Sequence, residues 1–87
     1  MRRQIIEKLR ALKLRARTHK SELVALIDLP DTEDLHLWIL ARFLPTASLF
    51  DLLSLSDLLE KELGIKVEIV SEKAVENKKD DLSLIEI

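Results

Sequence analysis

Few side chains in this sequence have the type and spacing that catalysis or metal binding requires. His19 and His36 are too far apart to form a metal-binding motif, and the chain has no cysteine to accompany them. The lack of cysteine also excludes disulfides and thiolate catalysis. No serine lies in a nucleophile-elbow motif. The chemistry of the chain therefore depends on its acids and on the elements that position them.

The net charge of −2 conceals an uneven distribution. Residues 1–20 carry eight bases against a single acid, Glu7, for a local charge of +7, whereas residues 21–87 carry −9. The bases are Arg2, Arg3, Lys8, Arg10, Lys13, Arg15, Arg17 and Lys20. Such a segment can bind nucleic acid or an acidic partner. It can equally be a solvated helix face that lies over the protein's own acidic half.

Length and composition indicate one small domain. The chain has 87 residues, of which 47% are hydrophobic, with leucine the most frequent of these, so it can form a core. No apolar run approaches the roughly 20 residues of a membrane span. The basic N-terminus also lacks the apolar segment of a signal peptide. We therefore expect a single cytoplasmic domain, residues 1–87, with no membrane segment.

Hydrophobic periodicity predicts the order helix, strand, strand, helix, strand and tail. The first helix covers residues 2–17, with one apolar stripe and the bases on its other faces. Residues 22–29 and 35–44 are predicted strands, although the first run could also be a buried helix. Residues 72–87 are expected to form a weakly structured tail. The simplest arrangement is an α+β fold in which two main helices cover a small mixed three-stranded sheet.

The segment from Pro45 to Val75 has the clearest local signals. Ser48 and Asp51 predict a helix start, because their side chains can satisfy free N–H groups of the first turn. Gly64, the only glycine, predicts the helix end, where a left-handed residue is common. The predicted buried face of this helix consists of Leu49, Leu52, Leu53, Leu55, Leu59 and Leu63. Residues 65–70 then alternate like a half-buried strand.

A resemblance to a known family is carried by residues 47–75, which read ASLFDLLSLSDLLEKELGIKVEIVSEKAV, and by the strand before them. This stretch is similar to the C-terminal half of the minimal nucleotidyltransferases of the DNA polymerase beta superfamily. The opening helix, with IIEKLRALK, is similar to theirs. The resemblance implies a nucleotidyltransferase-like fold. It also implies chemistry with ATP and Mg²⁺, in which three carboxylates hold two divalent ions and a Gly-Ser turn approaches the phosphates.

The resemblance also assigns the three carboxylates to positions in this chain. The third falls on Glu68, which could equally be an ordinary exposed strand residue. The Asp-x-Asp pair of the preceding strand falls on His36 and Trp38 when it is counted without a gap. His36 could supply one nitrogen ligand, but the indole N–H of Trp38 can only donate a hydrogen bond.

A shifted alignment would use other acids as metal ligands. The alternatives are Asp31 with Glu33, or Glu33 with Asp34, in the acidic loop DTED. A loop holds ligands less rigidly than a strand, which disfavours this choice. The Gly-Ser turn has no counterpart in any alignment, because no glycine precedes Gly64. The catalytic set implied by the resemblance is therefore incomplete.

The family commonly pairs with a HEPN-domain protein as antitoxin and toxin. The resemblance thus implies a HEPN-type partner, and the incomplete catalytic set predicts binding of that partner rather than AMP transfer. Two alternatives stay open: a nucleic-acid-binding or regulatory module that uses the basic first helix, and a truncated, inactive copy. A homodimer is a further expectation, since a second copy would cover the apolar edge LSLIEI at residues 82–87.

Overall fold

The computed structural model describes residues 2–28 and 36–87. Its helices are α1 (Arg2–Ala11), α2 (Lys13–Arg17) and α3 (Leu49–Leu63), and a 3₁₀ segment spans Glu72–Asp81. Its strands are β1 (Ser21–Ile27), β2 (His36–Phe43), β3 (Lys66–Ser71) and β4 (Leu84–Glu86). Within these two ranges, no helix is long and apolar enough to cross a membrane.

The strands form one mixed sheet in the order β3-β2-β1-β4. β2 pairs antiparallel with β1 and parallel with β3, and β4 pairs antiparallel with the other edge of β1. Because β2 and β3 run parallel, α3 is the crossover that connects them. The α+β class with a mixed sheet is confirmed, whereas the expected count of three strands is wrong, since the described residues form four.

The fourth strand comes from the segment that was expected to be a weakly structured tail. Residues 72–81 form the 3₁₀ segment, and Leu84 in β4 pairs with Ile27 in β1. The N–H of Ile87 donates to the carbonyl of Val24 at 3.3 Å, and the Ile87 side chain is buried in the main core. LSLIEI is too short to be recognised as a strand by itself. It becomes one because β1 offers an edge for pairing.

The predicted first helix is divided in two at Leu12. The N–H of Leu12 lies 3.1 Å from the carbonyl oxygens of both Lys8 and Leu9, which indicates a tightened turn. The apolar stripe is confirmed across this break, because Leu9 and Ala16 are fully buried. After α2, the Ser21 hydroxyl donates to the carbonyl of Ala16 at 2.8 Å and fixes the entry into β1.

Both ends of α3 match their sequence signals. The N–H of Ser48 donates to Oδ2 of Asp51 at 2.8 Å, and the Ser48 hydroxyl lies 3.3 Å from the same oxygen. These bonds, that of the Ser48 N–H above all, hold the pKa of Asp51 below its usual value, and the charge of Lys20 adds to the effect. At the other end, Gly64 adopts the left-handed conformation with φ of 71°.

The helices cover one face of the sheet, where the main core lies. This core contains Leu9, Leu12, Ala16, Leu23, Leu26, Leu37, Ile39, Ala41, Leu55, Leu59, Val67 and Ile87. On the opposite face, a smaller cluster contains Ala25, Ile27 and Leu40, with Trp38 and Val75 packed against it. The change of face between Ile39 and Leu40 follows from the alternation of side chains along a strand.

Two leucines that were expected on the buried face of α3 lie on the surface. Leu49 is 70% exposed and Leu53 is 51% exposed. At 3.6 residues per turn, these two positions share a stripe with Ser56 and Glu60, to one side of the fully buried Leu55. The spacing of the leucines does not show which of two neighbouring stripes of α3 faces the core. The predicted burial of Leu49 and Leu53 was therefore wrong.

Candidate functional site

The parallel pairing of β2 with β3 brings together the three positions that the resemblance assigns to carboxylates. Trp38 pairs with Glu68, and His36 pairs with Lys66 two residues earlier. Because side chains alternate along a strand, His36, Trp38 and Glu68 lie on the same face of the sheet, turned away from α3. These three residues are called the β2–β3 cluster below.

The side chains of the β2–β3 cluster contact one another. The rings of His36 and Trp38 stack, with centroids 5.3 Å apart and planes inclined by 17°. Nε2 of His36 lies 3.7 Å from Oε1 of Glu68. This distance is longer than a hydrogen bond. The two side chains form an ion pair only when His36 is protonated. The Glu68 side chain is 50% exposed, so other molecules can reach its carboxylate.

Two ring nitrogens of the β2–β3 cluster are shielded from solvent. They are Nε2 of His36 and Nε1 of Trp38, and neither has a hydrogen-bond partner within the described part of the chain. A shielded indole N–H ordinarily donates to an acceptor, because an unmet donor is costly. The exposed carboxylate of Glu68, rather than these two shielded nitrogens, is therefore what the cluster presents to other molecules.

The β2–β3 cluster has one carboxylate, whereas two-metal phosphoryl transfer in the resembled family uses three. His36 and Glu68 are its two side chains that could ligate a metal. Across residues 2–28 and 36–87, no group of three His, Cys, Asp or Glu side chains is arranged to hold an ion. The alternative acids Asp31, Glu33 and Asp34 lie outside the described residues.

The outer edge of β3 is partly closed by α3. The Ser56 hydroxyl donates to the carbonyl of Val67 at 3.3 Å, and the N–H of Val67 donates to Oε2 of Glu60 at 3.0 Å. Open polar groups on an edge strand favour pairing with another chain, and these two bonds block such pairing at Val67. The roles of Ser56 as donor and of Glu60 as acceptor were not predicted from the sequence. Their spacing could have identified them, because Ser56 and Glu60 are four residues apart and lie on the same stripe of α3 as Leu53.

An exposed hydrophobic surface lies at the start of α3. Its members are Leu44, Leu49, Phe50 and Leu53, which are 57%, 70%, 80% and 51% exposed. Three of them lie in the first turns of α3, and Leu44 lies in the turn before it, where its carbonyl accepts the N–H of Ala47 at 2.9 Å. Adjacent exposed hydrophobic side chains indicate an interaction surface, whereas isolated ones are ordinary. These four residues are called the α3 apolar surface.

The first two helices present basic side chains to solvent. Arg3, Lys8, Arg10 and Arg17 are all exposed. Arg15 donates to Glu62 of α3 at 2.9 Å. This contact is also an ion pair between α2 and α3. Most of the described basic side chains on these helices are thus available to an anionic partner.

Arg42 joins the 3₁₀ segment to the sheet. Its Nε and Nη2 donate to the two carboxylate oxygens of Glu72 at 2.7 and 3.2 Å, and Oε2 of Glu22 lies 3.9 Å from Nη1. The bidentate bond to Glu72 raises the pKa of Arg42 above its ordinary value. It also positions the 3₁₀ segment, whose Val75 packs against the same small cluster as Trp38.

Comparisons with known proteins find no counterpart. A scan against protein-family models and searches of curated proteins and of solved structures give no match for this chain. The resemblance to nucleotidyltransferases therefore stays a prediction, which depends on residues 47–75 and on the strand before them.

Proposed function

We propose that this chain is a nucleotidyltransferase-like protein that binds a HEPN-type protein in the manner of an antitoxin, without transferring nucleotides. The observation that carries the proposal is the parallel β2–α3–β3 unit, in which positions 36, 38 and 68 lie side by side. The resembled family has its three carboxylates at these positions. A cytoplasmic location is part of the proposal.

Binding without turnover follows from the side chains at those positions. Glu68 is the single carboxylate, and the stacked rings of His36 and Trp38 take the other two places. An indole cannot ligate a divalent ion, and it is the divalent ions that neutralise the charge of a triphosphate. The Gly-Ser turn that brings backbone N–H groups close to phosphate oxygens in the resembled family has no counterpart in this sequence. The protein is therefore expected to bind its partner without ATP or Mg²⁺.

The test is a binding measurement with the protein encoded by the adjacent gene, which the proposal expects to be of HEPN type. The two proteins are co-expressed, purified together, and then titrated separately by calorimetry with and without ATP and Mg²⁺. We expect a stable complex with the same affinity in both conditions. Glu68→Gln is the matched variant, and it should leave the affinity for the partner unchanged. Failure to bind, or binding that requires ATP and Mg²⁺, would refute the proposal.

A second candidate function is supported by the exposed bases of α1 and α2. Arg3, Lys8, Arg10 and Arg17 would attract the phosphates of nucleic acid without sequence preference. If these four each neutralise one phosphate of duplex DNA, affinity should fall about a hundredfold between 50 and 200 mM salt. Fluorescence anisotropy with labelled duplex DNA across this salt range tests this function. An affinity for DNA that does not depend on salt would exclude binding through phosphate contacts.

A further inference from the structure

The outer edge of β4 carries open backbone groups. The carbonyl of Ser83 accepts the N–H of Asp28 at 2.8 Å, and the N–H of Ile87 donates to β1 at 3.3 Å. In an antiparallel ladder, this pattern means that positions 83, 85 and 87 turn their N–H and C=O groups toward β1. Those of Leu84 and Glu86 therefore point away from β1, and no group in the described part of the chain hydrogen-bonds to them.

The two edges of the sheet differ in this respect. At the β3 edge, Ser56 and Glu60 occupy the outward C=O and N–H groups of Val67. At the β4 edge, no side chain of the described residues closes the strand in this way. Open backbone groups on an edge strand are a template for pairing with another strand. The β4 edge is therefore the more open of the two.

We propose that β4 pairs antiparallel with β4 of a second copy of this chain, across a two-fold axis at Ile85. In this register, Leu84 of each copy lies opposite Glu86 of the other. Each of these two pairs exchanges two backbone hydrogen bonds, so four bonds join the copies. One strand supplies both halves, because its open positions are symmetric about Ile85. This inference goes beyond the proposed function and does not depend on it.

The side chains of β4 support a second copy as the occupant of this edge. Ile85 packs against the main core but is only half-buried. At the axis, the two Ile85 side chains form a non-hydrogen-bonded pair, in which cross-strand side chains are closest. Each covers part of the other's exposed surface. The same register places Glu86 opposite Leu84, so the two Glu86 carboxylates are not directly opposite each other.

The length of β4 limits the strength of this dimer. Four backbone bonds and one apolar pair bury less than the roughly 1,200 Å² of a stable complex, so the dimer is weak and reversible. We expect a Kd of roughly 1 µM to 1 mM. Sedimentation velocity should therefore show a monomer in dilute solution that converts to a dimer as the concentration approaches about 1 mM.

The chain's lack of cysteine allows a direct test of the register by cross-linking. In Ile85→Cys, the two Cα atoms at the axis are about 4.5 Å apart, which is within the range of a disulfide. Glu86→Cys is the matched control, because its two Cα atoms are roughly 9 Å apart, which is too far. We expect mild oxidation to link Ile85→Cys faster, although position 86 is the more exposed. Cross-linking at position 86 that is as fast or faster would overturn the proposal.

A proline at position 86 tests the backbone bonds. Glu86→Pro removes an N–H that points away from β1, so the pairing of β4 with β1 should persist. The dimer loses two bonds and should weaken about tenfold or more. Glu86→Ala removes the same carboxylate, keeps the N–H and should not weaken the dimer. Circular dichroism verifies that both variants fold. A dimer that Glu86→Pro does not weaken, or a wild-type chain that stays monomeric at about 1 mM, would overturn the proposal.

Discussion

Aspartates at positions 36 and 38 would test whether the β2–β3 cluster has the geometry of a metal site. In the variant His36→Asp/Trp38→Asp, three carboxylates would lie on two adjacent strands about 4.8 Å apart, with the two new ones about 6.6 Å apart along β2. A divalent cation can bridge carboxylates at this spacing. Because Glu68 pairs with position 38, we expect the variant to bind Mn²⁺ or Mg²⁺, and the wild type not to bind them.

The size of the effect follows from packing and from binding linkage. Trp38 is half-buried against Ala25, Ile27 and Leu40, so its replacement should cost about 3 kcal/mol, the low end for loss of a large aromatic. A cation present at a hundred times its Kd raises the free energy of unfolding by about 2.7 kcal/mol. For a domain of this length, that corresponds to a rise in Tm of roughly 10–20 °C.

Thermal unfolding followed by circular dichroism, with and without Mn²⁺, measures this rise. Two controls isolate the charge: His36→Asn/Trp38→Asn has the same packing loss without carboxylates, and Glu68→Gln added to the aspartate variant removes the third ligand. Neither control should respond to Mn²⁺. The assignment of these positions to one site would be refuted if the aspartate variant folds but its Tm does not change with Mn²⁺. It would also be refuted if Mn²⁺ raises Tm equally after Glu68→Gln is added.

The remaining predictions concern the stability of the fold. Leu59→Ala should lower the free energy of unfolding in urea by about 2–5 kcal/mol because Leu59 is fully buried, whereas Leu14→Ala, at a 71% exposed position, should change it by less than about 0.5 kcal/mol. Gly64→Ala should cost about 1 kcal/mol, because φ is 71° while the added Cβ meets no atom within 4 Å; a cost as large as that of Leu59→Ala would contradict this reasoning. The lowered pKa of Asp51 means that its carboxylate stabilises the fold above its ordinary pKa of 3.8, and that this contribution is lost as the pH falls further. Asp51→Asn should therefore lower Tm at neutral pH, and a difference from wild type that does not shrink on acidification would argue against the helix cap.

The helix and strand between Ser48 and Ser71 could be predicted because their signals are local. The cap residues, the single glycine and the alternation of β3 each determine structure within a few residues of themselves. The folded chain has the helix start, the helix end and the strand that they predict. β4 could not be predicted in this way, because a three-residue strand is stabilised by the edge of β1, which is distant in sequence. The break at Leu12 was also missed, since a tightened turn leaves the apolar stripe intact.

The proximity of positions 36, 38 and 68 could be anticipated from the sequence, but the contacts of their side chains could not. The resemblance assigned carboxylate positions to 36, 38 and 68, and the register of β2 with β3 brings these positions close together. The stacking of His36 on Trp38 depends on rotamers that the sequence does not specify. The closure of the β3 edge by Ser56 and Glu60 likewise depends on how α3 lies against the sheet.

The most direct test of binding without catalysis is the mass of the HEPN-type protein after incubation with this chain, ATP and Mg²⁺. Native mass spectrometry reports both the complex and any covalent change in one measurement. Because Glu68 is the one carboxylate of the β2–β3 cluster, we predict an intact complex in which the HEPN-type protein keeps its unmodified mass. A HEPN-type protein that carries added AMP would contradict the account, and so would the absence of any complex.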